Sequence, residues 1–148
     1  MSQAFVPETW NLTKPAVTGR HGLVASHHYR ASEIGANILA EGGNAVDAAV
    51  AASLAIGTVE PWMSGLGGGG FMLVYLAREN KTYAVDFGMR APQTLDPKDY
   101  PLAQGVGSDL FQWPAVVDNR NLLGFSAIAV PSYVAGISAA LQRFGSRS

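Results

Sequence analysis

The chain has 148 residues, of which 48% are hydrophobic and 14% are charged, with a net charge of −1 and no cysteine. This length suits about one domain, and the lack of cysteine excludes disulfide bonds and thiol chemistry. Charged residues make up about 25% of an ordinary globular chain, so the low fraction predicts dense packing or a surface that contacts another chain. The small net charge gives no electrostatic basis for binding nucleic acid or an anionic membrane.

The first 26 residues are predicted to form an irregular arm and one short strand. Residues 1–20 contain Pro7 and Pro15 and are expected to form an irregular arm. The N-terminus shows no basic or apolar leader region, which favours a cytoplasmic location and leaves a periplasmic one open if a leader has been removed. The short apolar segment 22–26 is predicted to be a buried strand.

A first helix is predicted over residues 29–41. Its apolar positions recur at the i, i+3, i+4, i+7 spacing of one helix face, and they are Ala31, Ile34, Gly35 and Ile38. The glycine pair at 42–43 supplies a left-handed stop at the C-terminal end of this helix.

A second helix is predicted over residues 45–56, because Asn44 is a strong N-cap residue and Asp47 suits the first turn. This segment is apolar on nearly all sides, which is typical of a helix inside a protein. It is too short to span a membrane. Gly57 and Pro61 are expected to end it.

A glycine-rich run at 63–71 holds five of the chain's 17 glycines, including the consecutive Gly67, Gly68, Gly69 and Gly70. Consecutive glycines lose much backbone entropy on folding, so they are expected where φ must be positive or where another group approaches the backbone closely. Apolar segments on both sides argue against a flexible linker. The run contains G-x-G-x-x-G, but a dinucleotide-binding loop follows a strand and opens a helix. Here a helix precedes and a strand follows, so nucleotide binding is disfavoured.

The remaining residues predict a β-hairpin, a long excursion and a last helix. Strands at 71–76 and 82–87 flank a short polar turn. Residues 93–124 contain prolines and few periodic features, so they are expected to be irregular. A helix is predicted over 131–145, with Ser132 as its cap and Gly145 as its stop. Its buried stripe is expected to consist of Val134, Ile137, Leu141 and Phe144.

Two groups of polar residues are candidates for chemistry. His21, His27 and His28 are poorly spaced to chelate one metal ion, because adjacent side chains point apart in a strand and lie about 100° apart on a helix. We therefore expect no metal and no cofactor. Asp86 and Arg90 lie in the loop after the second hairpin strand, where a rigid scaffold positions binding groups. Arg90 is a candidate for binding a substrate carboxylate through two parallel hydrogen bonds, and an ion pair with Asp86 is the structural alternative.

The order of these motifs resembles the γ-glutamyltranspeptidase family. The resemblance is carried by residues 39–52, 65–73, 86–92 and 130–137. It implies an α+β fold that forms part of the four-layer αββα sandwich of the N-terminal-nucleophile hydrolases. It also implies that residues 1–148 are the N-terminal portion of the large-subunit domain, which is incomplete without the C-terminal part or small subunit of the same enzyme.

The resemblance further implies an enzyme that hydrolyses or transfers γ-glutamyl or related acyl groups from small-molecule amides such as glutathione. The nucleophile is then an N-terminal Thr outside this chain, so no catalytic residue is expected here. The four glycines at 67–70 are expected to form a structural loop. The alternatives are a truncated, non-catalytic subunit that only binds a partner chain and an unrelated α/β binding domain.

One position departs from the family pattern. In the family, an arginine two residues after the loop aspartate pairs with the α-carboxylate of the γ-glutamyl group. This sequence has Gly88 at that position and Arg90 two residues further on. The departure suits a family member that accepts another acyl group, for example a glutaryl or cephalosporin-type side chain.

Overall fold

The computed structural model describes residues 15–107 and 111–147. Within these residues the chain forms helices α1 (Tyr29–Ala40), α2 (Ala45–Val59) and α3 (Tyr133–Phe144), and strands β1 (Gly70–Leu76), β2 (Lys81–Phe87), β3 (Leu102–Val106) and β4 (Pro114–Val116). β1 pairs with β2 and β3 pairs with β4, both in the antiparallel sense. The arm predicted at 1–20 lies largely outside the described residues.

α1 and α2 form a helical hairpin whose ends follow from the sequence. Gly42 has a φ of +89°, the left-handed conformation that ends α1. Asn44 Oδ1 accepts hydrogen bonds from the N–H groups of Val46 and Asp47, while Asp47 Oδ2 accepts one from the N–H of Asn44. This capping box starts α2. Gly57 does not end α2, which continues to Val59 because a single glycine is tolerated inside a helix.

The core lies where α2, α3 and one face of the β1–β2 hairpin meet. Its buried side chains are Val46, Val50, Val74, Phe87, Tyr133, Ile137, Ala140 and Phe144. The stripe predicted for α3 is confirmed at Ile137 and Phe144, but Val134 is 53% exposed. Small residues face the hairpin instead, because a Cβ atom placed on Gly136 would lie 2.1 Å from Cγ of Phe87. None of the described helices is long and apolar enough to cross a membrane.

Asp47 ties the end of α3 to the start of α2. Its carboxylate is buried and accepts hydrogen bonds from the hydroxyl and the N–H of Ser146, at 2.6 and 3.1 Å. Burial raises the pKa of Asp47, but the hydrogen bonds from Ser146, Asn44 and Arg147 outweigh burial and hold the pKa below its usual value. Asn44 Nδ2 also donates to the carbonyl oxygen of Phe144 at 2.7 Å. The two helix ends are therefore held together by polar contacts.

Two predictions about extended segments are wrong. Residues 22–26 pair with no other strand in the described part of the chain. Val24 packs on α1 instead, since a Cβ atom placed on Gly35 would lie 2.8 Å from its Cγ1, while the other residues of the segment are exposed. The excursion at 93–124 is not wholly irregular, because β3 and β4 pair there across a register shift between Leu102 and Val106.

The outer face of β1 is exposed and apolar. Phe71, Leu73 and Tyr75 are 76%, 75% and 60% exposed, whereas Val74, which points to the opposite face, is 6% exposed. Both faces of the strand are therefore apolar. Such a pattern is typical of a strand that is covered on both sides.

Candidate functional site

The glycine loop, residues 67–70, packs against the backbone at the end of β2. A Cβ atom placed on Gly69 would lie 2.6 Å from the carbonyl oxygen of Phe87 and 2.7 Å from the N of Met89. A Cβ atom on Gly70 would lie 2.9 Å from the ring of Phe87. The two glycines permit a close backbone approach that no side chain would allow. Gly67, by contrast, faces open space.

The start of α3 joins this loop to the end of β2. The N–H groups of Ser132 and Tyr133 donate to the carbonyl oxygen of Gly68 at 3.1 and 3.0 Å. The hydroxyl of Ser132 donates to the carbonyl oxygen of Phe87 at 2.6 Å and lies 3.0 Å from that of Gly88. Ser132 is the N-cap residue of α3, as predicted, and its carbonyl oxygen accepts a hydrogen bond from the N–H of Gly136 at 2.9 Å, but its side chain makes no hydrogen bond to the helix. The N–H groups of Ser132 and Tyr133, at the start of α3, are satisfied by the carbonyl oxygen of Gly68.

Gly88 occupies a small gap beside Phe71. A Cβ atom at this position would lie 3.2 Å from Cζ of Phe71 and 3.3 Å from Oδ1 of Asp86. Oδ1 of Asp86 accepts a hydrogen bond from the N–H of Gly88 at 2.9 Å. The conformation of Gly88 does not require glycine, because its φ is not in the left-handed region. The space for a side chain is limited by the ring and by the carboxylate.

Arg90 is exposed and lies two residues beyond Gly88. Its backbone pairs with that of Val130, with N–H to carbonyl distances of 3.3 and 2.8 Å. Its guanidinium forms neither an ion pair nor a hydrogen bond with any described residue, so the alternative of an ion pair with Asp86 is wrong. The backbone of Arg90 is held in place while its charged group stays available.

Arg90 borders a cleft of about 690 Å³. The cleft, called here the Arg90 cleft, is lined mainly by apolar side chains between residues 89 and 129, including Met89, Leu95, Leu102 and Ile128. The hydroxyl of Tyr100, which also lines it, already donates to the carbonyl oxygen of Ser126 at 2.7 Å. A mostly apolar cleft with one available cation suits an organic anion with an apolar body.

A second cleft, of about 460 Å³, is lined by the glycine loop together with Trp62, Met63, Phe71 and Tyr133, and Phe87 also lines it. It is continuous with the exposed apolar face of β1 through Phe71, which is 76% exposed. The segment 87–90 therefore contributes to both clefts, through Met89 and Arg90 to the Arg90 cleft and through Phe87 to the second.

The three histidines do not form a site. His27 Nδ1 lies 3.0 Å from a carboxylate oxygen of Glu60, which is 8% exposed. His28 Nδ1 accepts a hydrogen bond from the N–H of Arg30 and so caps α1. No group of three metal-ligating side chains occurs among residues 15–107 and 111–147. The pairing of His27 with Glu60 links the N-terminal segment to the end of α2.

The structure places the segment that contains the predicted Gly88 beside the glycine loop and places Arg90 at the end of that segment, in the other cleft. It also adds residues that the sequence did not indicate. Ser132 and Phe71 both contact the segment 87–90, and neither was a site candidate. The signal for Phe71 was available, since a large aromatic residue directly follows four glycines. The role of Ser132 depends on a strand that ends 45 residues earlier in the chain, at Phe87.

Comparison with known proteins identifies the family. The family model for γ-glutamyltranspeptidase matches residues 31–148. The chain belongs to the γ-glutamyltranspeptidase family. It is 38% identical over 142 residues to a glutathione hydrolase proenzyme of Bacillus subtilis subsp. natto, covering 96% of this chain and 23% of the relative. It is also 38% identical over 132 residues to the acylase ACY 1 proenzyme of Pseudomonas sp. strain V22, covering 89% of this chain and 23% of that protein.

The fold matches solved structures of the family. The crystal structure of Helicobacter pylori γ-glutamyltranspeptidase superposes with a TM-score of 0.73 at 36% sequence identity, covering 90% of this chain and 36% of that chain. The predicted α+β class and the family assignment are confirmed. This γ-glutamyltranspeptidase-family chain spans about a quarter of the length of the curated relatives it matches.

Proposed function

We propose that this chain supplies the N-terminal portion of the large subunit of an enzyme that hydrolyses or transfers γ-glutamyl or related acyl groups from small-molecule amides. The observation that carries the proposal is the family match over residues 31–148 together with coverage of only 23% of the glutathione hydrolase proenzyme. The proposed nucleophile is an N-terminal Thr outside this chain, in the remaining part of the enzyme.

The proposed chemistry is acyl transfer through a covalent intermediate. The α-amine of an N-terminal Thr, with a pKa of about 7.7–8.0, acts as the base for the adjacent hydroxyl at neutral pH. The Thr oxygen attacks the amide carbonyl, the amine leaves with a proton, and water or an amino group then takes the acyl group from the Thr. In this scheme the chain described here binds and orients the acyl group, and it provides no reacting atom.

The proposed partner is the C-terminal part or small subunit of the same enzyme. The exposed face formed by Phe71, Leu73 and Tyr75 supports this proposal, because a large apolar face is unfavourable in water. A covering layer would bury these side chains and close the glycine-lined cleft. The face directly adjoins Gly88, so the covering layer would also complete the proposed substrate pocket.

Within this scheme, Arg90 binds an anionic group of the acyl donor. The support is its available guanidinium at the border of the Arg90 cleft and its fixed backbone. The test is kcat/KM of the complete enzyme for an anionic acyl amide, with Arg90→Ala and Arg90→Lys as variants. We expect Arg90→Ala to lower kcat/KM. The loss of transition-state stabilisation should be about 2–4 kcal/mol, as for the loss of one partner of a covered charge pair. Arg90→Lys should lose less activity than Arg90→Ala, because lysine keeps the charge but cannot form the two parallel hydrogen bonds of arginine.

Arg78→Ala is the matched control, since Arg78 is exposed in the turn of the β1–β2 hairpin and forms an ion pair with the neighbouring Glu79. Arg78→Ala should leave kcat/KM unchanged. Unchanged kinetics for Arg90→Ala would show that Arg90 does not bind the substrate. Purified enzyme without a co-purifying polypeptide that starts with Thr would contradict the proposed nucleophile.

An acylase for non-glutamyl side chains is the second candidate. It is favoured by Gly88, which leaves no cation two residues after Asp86, and by the apolar lining of the Arg90 cleft. The similarity to the acylase ACY 1 proenzyme also supports this second candidate. Comparing kcat/KM for γ-glutamyl and glutaryl p-nitroanilide decides between the two, since only the first carries an α-ammonium group.

A further inference from the structure

Ser132 contacts three separate parts of the chain. Its hydroxyl donates to the carbonyl oxygen of Phe87 at 2.6 Å and lies 3.0 Å from that of Gly88. Its N–H donates to the carbonyl oxygen of Gly68 in the glycine loop at 3.1 Å. Ser132 is partly buried, and its side chain makes no hydrogen bond to α3. The hydroxyl is therefore not required to cap the helix and acts on the segment 87–90 instead.

The hydrogen bonds of the Ser132 hydroxyl help to hold the backbone segment that carries Arg90. The residues that precede Ser132 already hold the far end of the segment, because the backbones of Arg90 and Val130 form a two-way hydrogen-bonded bridge at 3.3 and 2.8 Å. The near end is held by the hydroxyl of Ser132 at Phe87 and Gly88. With both ends fixed, the backbone that carries Arg90 has little freedom to move relative to the glycine loop.

The contact is also sterically specific. Gly69 lies so close to Phe87 that a Cβ atom would be 2.6 Å from the same carbonyl oxygen that accepts the hydrogen bond from Ser132. The carbonyl is thus enclosed between the glycine loop and the start of α3. Loss of the hydroxyl leaves this partly buried oxygen without its side-chain donor, which favours a shift of the segment towards another donor.

From this geometry we infer that Ser132 is a positioning residue: it holds the backbone that carries Arg90 in place beside the glycine loop and thereby sets the preference of the enzyme for anionic acyl groups. The inference rests on the proposed function, in which Arg90 binds the anionic end of the acyl donor. Ser132 itself touches neither substrate nor reacting atoms in this scheme.

The test uses the complete enzyme with Ser132→Ala, Ser132→Thr, Arg90→Ala and Ser138→Ala. Ser138 lies on the exposed side of the same helix and is the matched control. Two readouts are measured: hydrogen exchange of peptides that cover residues 84–92, and KM and kcat for glutaryl p-nitroanilide and for the uncharged pentanoyl p-nitroanilide. The second substrate has the same chain length and lacks the carboxylate.

We expect Ser132→Ala to speed exchange in residues 84–92 and to raise KM for the glutaryl substrate by about 3- to 10-fold, the range that the loss of one hydrogen bond gives. KM for the pentanoyl substrate should change by less than about twofold, and kcat should change little for either substrate. Ser132→Thr, which keeps a hydroxyl, should restore most of the selectivity. Ser138→Ala should behave as the parent enzyme.

The failures can be told apart. If Arg90→Ala leaves the selectivity between the two substrates unchanged, Arg90 does not bind the anion and the proposed role of Arg90 fails. If Arg90→Ala removes the selectivity while Ser132→Ala affects both substrates equally, Ser132 is only structural and the inference is overturned. Unchanged exchange in residues 84–92 of Ser132→Ala overturns it as well, whatever the substrates show.

Discussion

Gly136 is the position where an added methyl group should do most damage to this fold. It lies in α3 directly over Phe87, and a Cβ atom there would be 2.1 Å from Cγ and 2.3 Å from Cβ of that residue. These atoms are at the base of the Phe87 side chain, so a change of rotamer alone does not remove the clash. Gly136→Ala therefore requires α3 and the hairpin to move apart.

The magnitude follows from two opposing effects. An extra methyl group in a packed core costs about 1–3 kcal/mol, and the severe overlap places this case near 3 kcal/mol. Replacing glycine by alanine inside a helix returns about 1 kcal/mol. The expected net loss of stability is about 2 kcal/mol. Gly57→Ala in α2 is the control, because its added Cβ would have its nearest neighbour at an ordinary 3.5 Å, so the helix gain of about 1 kcal/mol remains.

The assay is urea unfolding of the complete enzyme, followed by the fluorescence of its tryptophans. The two variants should differ by about 3 kcal/mol in unfolding free energy, with Gly136→Ala below the parent and Gly57→Ala at or above it. If Gly136→Ala proves as stable as Gly57→Ala, α3 does not pack on Phe87 as closely as described. Packing of α3 on Phe87 would then not be what positions residues 87–90.

Two further predictions concern the loop and the helix junction. Gly69→Ala should destabilise the enzyme and weaken substrate binding, because its Cβ would lie 2.6 Å from a backbone oxygen. Gly67→Ala is the control and should have little effect, since nothing lies within 4 Å of its Cβ position. Thermal melting and KM are measured for both variants. Because the pKa of Asp47 is lowered in the folded chain, its stabilisation is present above the ordinary Asp pKa of about 3.9 and is lost as the pH falls through the lowered value. Asp47→Asn should therefore reduce stability at pH 7 and flatten the acid side of the stability profile; an acid profile that matches the parent's would contradict the role given to Asp47.

The helices could be predicted because their signals are local. The spacing of Ala31 and Gly35, the left-handed Gly42 and the capping box at Asn44 all act within a few residues. The hairpin was likewise predictable from two apolar runs around a short polar turn. Its observed strands begin one residue earlier than predicted, at Gly70 and Lys81, a difference of the size expected at element ends.

The errors arise where the outcome depends on distant partners. Residues 22–26 have the apolar composition of a strand, but a strand needs an edge to pair with, and Val24 packs on Gly35 instead. Val134 has the right spacing for the buried stripe of α3 and is exposed, because the hairpin approaches the helix along the smaller residues Gly136 and Ala140. Periodicity indicates which residues are apolar, and side-chain size decides which of them another element can approach.

The site shows the same division between local and distant information. Gly88 and Arg90 were found from the loop that contains them, whereas the contact of Ser132 with Phe87 joins residues 45 positions apart. Among the described residues, every buried side-chain nitrogen and oxygen has a hydrogen-bond partner. Apolar coverage is not complete, because Phe71 and Leu73 are each at least 75% exposed. What the described residues lack is an apolar layer rather than hydrogen-bond partners, which supports the proposal that the rest of the enzyme covers the outer face of β1.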